Sequence, residues 1–328
     1  LNGVINYYKT VASAVNAAPD NTESTIVLLI DTLQPIIDIP SEKKLFIDLG
    51  KKTLNATLRN YGTITVGNGT IEIPEDYGTR SAIYNSGGTV TIIEGTYSLK
   101  GENGWTIVND PGGKMTIQGG TFNNEGMNSC IYNKSVLTMN GGTVNNIGSS
   151  SYGIVTAGEN GVPAESTIKN VTINSTDIAI QSGNGDTEPY AEGYTKIYNS
   201  NIKSSNYAAY LLGNDNSATT LILYDCNVSS GKYAGNVTEV KTDSNGYDVY
   251  VYNVPSTYTL ICPTYTTAGG NNGQDDMTWE NATNMGNGTH HYRVDKSRHN
   301  NETGEYVTVI YRYTNGAIIN GWQVFVDM

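Results

Sequence analysis

The 328-residue sequence predicts an all-β chain: a parallel β-helix (a solenoid) capped by one short N-terminal helix and followed by a small β-sandwich. Three observations predict it. Gly69-Thr70, Gly95-Thr96, Gly120-Thr121 and Gly142-Thr143 recur with separations of 26, 25 and 22 residues. Two further columns keep the same period: Ile83, Ile107, Ile131 and Ile154 at 24, 24 and 23, and Asn60, Asn85, Asn109 and Asn133 at 25, 24 and 24. The period then stops near Lys241-Thr242-Asp243-Ser244-Asn245-Gly246, while strand patterning continues. Repetition in the twenties is the mark of a solenoid. Runs such as Thr89-Val90-Thr91-Ile92 and Lys114-Met115-Thr116-Ile117 alternate as strands do, and no helical pattern separates them. The Leu-x-x-Leu-x-Leu pattern of leucine-rich repeats is missing.

The elements follow in order. Val11, Ala14, Val15 and Ala18 lie at helical spacing, with Thr10 as N-cap and Pro19 as stop. An open solenoid end leaves strand edges and core uncovered, so a cap belongs there. Each later coil stacks on the last at about 4.8 Å. It places Ile inside, Gly where the backbone bends, and Asn at a turn, where amides ladder and the left-handed backbone is tolerated. Later coils replace Gly-Thr by Asn-Val and Asn-x-x-Ile steps, as in Asn170-Val171 and Asn199-Ser200-Asn201-Ile202. The longer gaps at Gly158–Glu165 and Gly183–Gly193 are expected as loops on one side. The predicted solenoid covers residues 1–242 and the sandwich 243–328. Strands in the second unit read Tyr247–Val254, Tyr258–Ile261, His290–Val294, Tyr306–Tyr313 and Trp322–Val326, with turns at Asn272-Gly273 and Asn315-Gly316. Trp279, Tyr306 and Trp322 are expected to supply its aromatic core.

Composition excludes several functions. Thirty-seven Gly and 24 Tyr against 3 Phe and 3 Trp fit many turns and strands whose rings meet water on one side. The net charge of −12, with no Lys/Arg cluster, argues against nucleic acid. The longest apolar run, Ile26–Ile30, is too short to span a bilayer. No signal peptide is visible, and the chain opens within its pattern at Leu1, as a trimmed sequence would. Cys130, Cys226 and Cys262 are far apart and lack metal-ligand spacing; they read as small buried apolar residues.

Two stretches carry family resemblances. Leu45-Phe46-Ile47-Asp48-Leu49-Gly50-Lys51-Lys52-Thr53-Leu54 and the later Gly-Gly-Thr steps resemble the right-handed β-helix proteins of the pectate-lyase-like superfamily, over roughly residues 8–240. They look most like repeat regions of surface proteins from Gram-positive gut bacteria. Gly273-Gln274-Asp275-Asp276-Met277-Thr278-Trp279, and His299-Asn300 with Thr303-Gly304-Glu305-Tyr306, resemble the two signatures of the GBS Bsp-like repeat, a small Ig-like domain of exported, cell-wall-associated bacterial proteins. Tyr265 and Thr308 depart from the Trp and His expected there.

Candidate sites follow. Exposed aromatics hold sugars by ring stacking; the candidates are Tyr84, Trp105 and Tyr132, of which Tyr84 and Tyr132 flank the Asn column. Asp275 and Asp276, with Trp279 as a further ligand-binding candidate, could bind Ca²⁺ or a glycan, or the two carboxylates could cap backbone N–H groups in a turn ahead of the strand bearing Trp279. No other cofactor is implied. His290 and His291 alternate in a strand and face opposite sides. For catalysis, two carboxylates must share a groove; Glu102 and Glu125 lie 23 apart with Asp110 nearby and Glu94 one coil earlier. The reading is an extracellular, non-catalytic bacterial surface protein that binds glycans or cell-wall polymer, with a host mucosal surface as a further partner. The alternatives are a polysaccharide lyase or glycoside hydrolase acting in a β-helix groove, and a plain structural stalk.

Overall fold

A computed structural model describes residues 5–75, 80–149, 151–184, 192–213, 218–268 and 275–328. The described residues up to Asp243 wind into a parallel β-solenoid of about eight turns. Helix α1 (Val11–Ala17) caps its start. The Thr10 Oγ1 accepts from the Ser13 N–H at 3.0 Å, satisfying one orphan donor of the first turn, and Val11 and Val15 are buried.

Middle coils have three walls. Wall A stacks ten parallel strands from Glu23–Val27 to Thr238–Asp243. Wall B runs through Thr70–Ile73, Thr96–Leu99, Thr121–Asn124, Gly142–Asn146 and Val171–Ser175. Wall C runs through Ile83–Asn85, Ile107–Asn109, Ile131–Asn133, Tyr152–Thr156 and Ile178–Ser182. Near either end a single strand, Thr53–Asn60 or Asn201–Leu211, pairs with both walls B and C.

The predicted columns hold their register. Ile83, Ile107, Ile131 and Ile154 are direct parallel partners and fully buried; each contributes about 1.5–3 kcal/mol by leaving water. Asn60, Asn85, Asn109 and Asn133 are also buried, and each amide donates to the next along the stack at 2.9, 2.8 and 2.8 Å. Asn133 ends the chain on Ser166 Oγ at 3.0 Å. The Gly column has its own cause. Gly95 and Gly120 sit at φ +121 and +110, and a Cβ there would lie 2.7 and 2.9 Å from the carbonyl oxygen of the glycine one coil earlier. Where the repeat loses Gly, Asn170, Asn199 and Asp225 take the positive φ instead.

The loop Gly158–Glu165 and the described ends of the 183–193 and 212–219 segments all leave wall C at one corner. The C-terminal unit does not begin a separate sheet. Thr238–Asp243 pairs in parallel with Thr220–Tyr224 and antiparallel with Gly246–Val251, and Thr289–Asp295 and Thr283–Gly286 follow. A second sheet carries Thr259–Ile261 and Thr264–Thr266 on one edge of Glu305–Thr314 and Ala317–Asp327 on the other. The short strands Thr264–Thr266 and Thr283–Gly286 were not expected. Asn315 and Gly316, both at positive φ, close the last hairpin as predicted. Asn272-Gly273 lies outside the described residues.

The two sheets share a core that joins Tyr247, Val249 and Val294 to Tyr306, Ile310 and Val324, and it also takes in Ile222, Tyr224 and Val240 from wall A. Tyr247 and Tyr306 meet edge to face at 6.2 Å, and the Tyr247 hydroxyl bonds Thr308 at 2.7 Å. One core expectation fails: Trp279 is 60% exposed, because its backbone forms only a bridge region beside the second sheet and its ring lies outside. The three cysteines are buried and free. Among the described residues no helix is long and apolar enough to cross a membrane.

Candidate functional site

Register places Tyr84 and Tyr132 in one outward row of wall C, with Val108 between them. Trp105, in the turn before Ile107–Asn109, brings its ring to 5.9 Å from Tyr132 at an interplanar angle of 28°. All three rings are half-buried, and Val108 beneath them is 2% exposed, so the row is a packed patch with free edges. The residue after the Asn ladder adds charge. Asp110 and Lys134 occupy that position in successive coils, and Lys134 Nζ lies 3.3 Å from Asp110 and 3.4 Å from Glu159. The same ammonium sits 5.2 Å from the centroid of the Tyr132 ring. The Tyr84 hydroxyl donates to Asp110.

The electrostatics follow from this packing. Burial and the bond to Asp110 hold the Tyr84 phenol above its ordinary range, so it is a donor. Burial likewise raises Tyr132, against the pull of Lys134. Burial opposes the charge on Lys134, but the carboxylates of Asp110 and Glu159 outweigh it and raise its pKa. The patch thus offers two rings, a phenol, an ammonium and two carboxylates on one flank.

The other acidic candidates do not join it. Glu94 is exposed at the corner between walls A and B, Glu102 and Glu125 are exposed between walls B and C, and Asp110 lies between walls C and A. The expectation that Asp110 shares a face with Glu102 and Glu125 is therefore corrected: 8 residues after Glu102 the chain has already crossed wall C to the next corner. The acidic pair that does converge is Asp110 with Glu159, drawn together by Lys134. That grouping was visible in the spacings of 24 and 25 residues, one coil each, had charges been aligned as the Asn column was.

In the C-terminal unit, Asp275 is exposed and Asp276 is buried. Asp276 accepts from the Thr266 N–H at 3.1 Å and from His299 Nδ1 at 2.9 Å, which ties it into the fold through strand Thr264–Thr266 rather than through a local turn. Among the described residues no three His, Cys, Asp or Glu side chains group as a metal site. His290 is buried and His291 bonds Asp248 at 2.7 Å on the opposite side of its strand. Trp279 stacks on Tyr311 at 6.5 Å and 12°.

Sequence reasoning also missed the outward face of wall B. Thr70, Thr96, Thr121, Thr143 and Thr172 form one rank. Beside it an amide chain runs from Asn174 to Asn145, Asn123 and Ser98, with bonds of 3.0, 3.0 and 3.2 Å. Its signal is the Thr-x-Asn step at Thr121-Phe122-Asn123, Thr143-Val144-Asn145 and Thr172-Ile173-Asn174, with Thr96-Tyr97-Ser98 one coil earlier.

Residues 236–323 match the sequence profile of the GBS Bsp-like repeat. No curated protein matches the sequence. Among solved structures, ORF18 of Geobacillus virus E2 is similar in outline: 10% identity over 96% of this chain and 72% of that one, at a TM-score of 0.40. The profile match begins inside the stretch assigned to the solenoid, ahead of strand Thr238–Asp243. Residues 236–323 are a GBS Bsp-like repeat, set on the end of a parallel β-solenoid and sharing a sheet with it.

Proposed function

We propose that the protein is an extracellular, cell-wall-associated surface protein that holds glycans without turning them over. The observation that carries this reading is the Trp105–Tyr132 stack beside the Tyr84 hydroxyl and the Lys134 ammonium. Ring faces accept the C–H side of a sugar while flanking donors and acceptors take its hydroxyls. The surface location draws on the repeat, which the resemblance links to exported wall proteins. A shallow patch buries little area, so affinity per site falls in the micromolar-to-millimolar range, about −4 to −8 kcal/mol.

Pull-down with peptidoglycan, mucin-type glycans and pectin tests it. The expected result is weak retention that falls in Tyr132→Ala and Trp105→Ala, without unsaturated or reducing-end products. A second reading has one observation in its favour: Asp110 and Glu159 converge on Lys134, as paired carboxylates of a lyase or hydrolase would. Product release that disappears in Asp110→Asn would establish the enzyme. Neither binding nor turnover would leave the stalk.

A further inference from the structure

The seam between solenoid and repeat encloses a cleft that neither half forms alone. One side is the outward row of Gly193–Tyr198, with Tyr194, Lys196 and Tyr198 at alternate positions. The other is Ala317–Asp327, an edge strand whose one pairing partner among the described residues is Glu305–Thr314. The sides touch where the Phe325 N–H donates to the Tyr224 hydroxyl at 3.4 Å and where Lys196 Nζ lies 4.9 Å from the Phe325 ring centroid. This bar divides the cleft into two open chambers of about 590 Å³ each, within the roughly 300–1,000 Å³ of small-ligand sites.

The chambers differ in chemistry. The one toward Tyr198 is edged by charge, with Lys169, Asp225, Glu305 and Asp327. The one toward Tyr194 is lined by rings, Tyr194, Tyr311, Trp322 and Phe325, with Glu165 and Gln323 at its rim. Its rings are held in place. Tyr194 donates to Glu192 at 2.8 Å, and Trp322 Nε1 donates to Thr238 Oγ1 at 3.0 Å. Tyr311 lies across Gly321, its partner on the edge strand, where a Cβ would stand 2.7 Å from the ring. Tyr311 then stacks on the exposed Trp279, so aromatic surface continues out of the chamber.

We propose that the aromatic chamber binds a short neutral oligosaccharide and that this site exists only while the repeat is docked on the solenoid. Ring faces suit the C–H faces of pyranoses. Glu165 and Lys196 bring opposite charges, so the rim offers acceptors and donors for hydroxyls without favouring an ionised sugar. The open edge of Ala317–Asp327 also suggests an extended peptide adding as a strand. The Lys196–Phe325 bar crosses that path and the Tyr224 hydroxyl already occupies the Phe325 N–H, so the glycan is favoured. The ligand class rests on the function proposed above; the location does not.

The test is titration of the full chain with chitotriose, cellotriose and mannotriose by saturation-transfer NMR and calorimetry. At least one is expected to bind with millimolar or tighter affinity. Tyr311→Ala and Tyr194→Ala each weaken it about tenfold or more. Gln323→Trp, which fills the chamber from an exposed position without emptying the core, abolishes it while the unfolding midpoint stays at the wild-type value. Binding that survives Gln323→Trp but is lost in Tyr132→Ala overturns the cleft and leaves the flank patch as the glycan site. Binding lost in neither variant overturns the cleft as well, and absence of binding to all three sugars overturns the cleft while the flank patch stands or falls on the polymer pull-down. An extended peptide that protects the Gly321–Phe325 amides from exchange, with no sugar doing so, replaces the glycan by strand addition.

Discussion

The solenoid and the repeat are both all-β, yet they are held together on different length scales. In the solenoid each stabilising contact is made again one coil later: Asn60 to Asn85, Asn85 to Asn109, Asn109 to Asn133. Stability there approximates a sum of similar nearest-neighbour terms. In the repeat the central contacts occur once and reach far along the chain, as when Tyr247 bonds Thr308 across 61 residues. The difference teaches where damage spreads. A solenoid defect is confined to adjoining coils, whereas the repeat stands or falls as a unit, including the solenoid residues Ile222, Tyr224 and Val240 that its core borrows.

The strongest way to break this comparison is to cut the molecule. A fragment from Asn245, just beyond the boundary that composition predicts, lacks Thr238–Asp243 and its six paired positions with Gly246–Val251. It also leaves Trp322 without Thr238. It is expected to show no cooperative thermal transition, and a fragment from Asn236 to show one at reduced temperature. Equal, cooperative melting of both would mean that the shared strand contributes nothing to the repeat.

Next in size are single core truncations. Phe122 is fully buried and stacks on Tyr97 one coil earlier, at 5.3 Å. Phe122→Ala is expected to cost about 3–5 kcal/mol. Hydrogen exchange should rise in the coils bearing Tyr97 and Val144 and remain unchanged in the repeat. Tyr247→Ala, of similar local cost, should raise exchange throughout both sheets of the repeat and in Thr220–Tyr224. Exchange confined to one strand in the second case would erase the contrast. Smaller still is Asn109→Leu, which leaves the Asn85 donor and the Asn133 acceptor buried without their partner. About 1–3 kcal/mol is expected from urea unfolding, and a wild-type midpoint would remove the ladder from the account of stability.

What could be read in advance divides along the same line. The Ile and Asn columns were legible because a solenoid imposes one environment at one spacing, so identity recurs where register does. Thr10 and Asn315-Gly316 were legible because capping and the hairpin turn are local. The exposure of Trp279 was not, since counting aromatics in a non-periodic sequence does not say which rings point inward. Nor was the continuity of the sheet through Thr238–Asp243. A strand carries no mark of having a parallel neighbour on one side and an antiparallel one on the other. The same holds for the candidate sites. Tyr84 and Tyr132 fell in one row because the period placed them there. The chamber between Tyr194 and Trp322 depends on how two units meet, which no spacing within either unit encodes.

The finest test concerns charge. The solenoid ladder is neutral, but the hairpin that hands the sheet to the repeat is pinned by an ion pair: Arg293 bonds Asp243 at 2.7 and 3.0 Å, and the Asn245 N–H adds a bond at 2.7 Å. These hold the Asp243 carboxyl down to about 2 from its ordinary 3.8. A depressed carboxylate stabilises the fold above its unfolded pKa and loses that contribution as pH falls through the folded one. The stability lost in Asp243→Asn should therefore be full at pH 5, shrink below about pH 4 and vanish near pH 2, as read from urea midpoints of variant and wild type. Because the pair is solvent-exposed, the difference is small and about 1 M salt should reduce it further. The Asn109→Leu deficit, with no titrating group in the ladder, should hold constant over the same range. A pH-independent Asp243→Asn deficit would assign the residue to turn geometry, through its bond to the Asn245 N–H, and take the charge out of the junction.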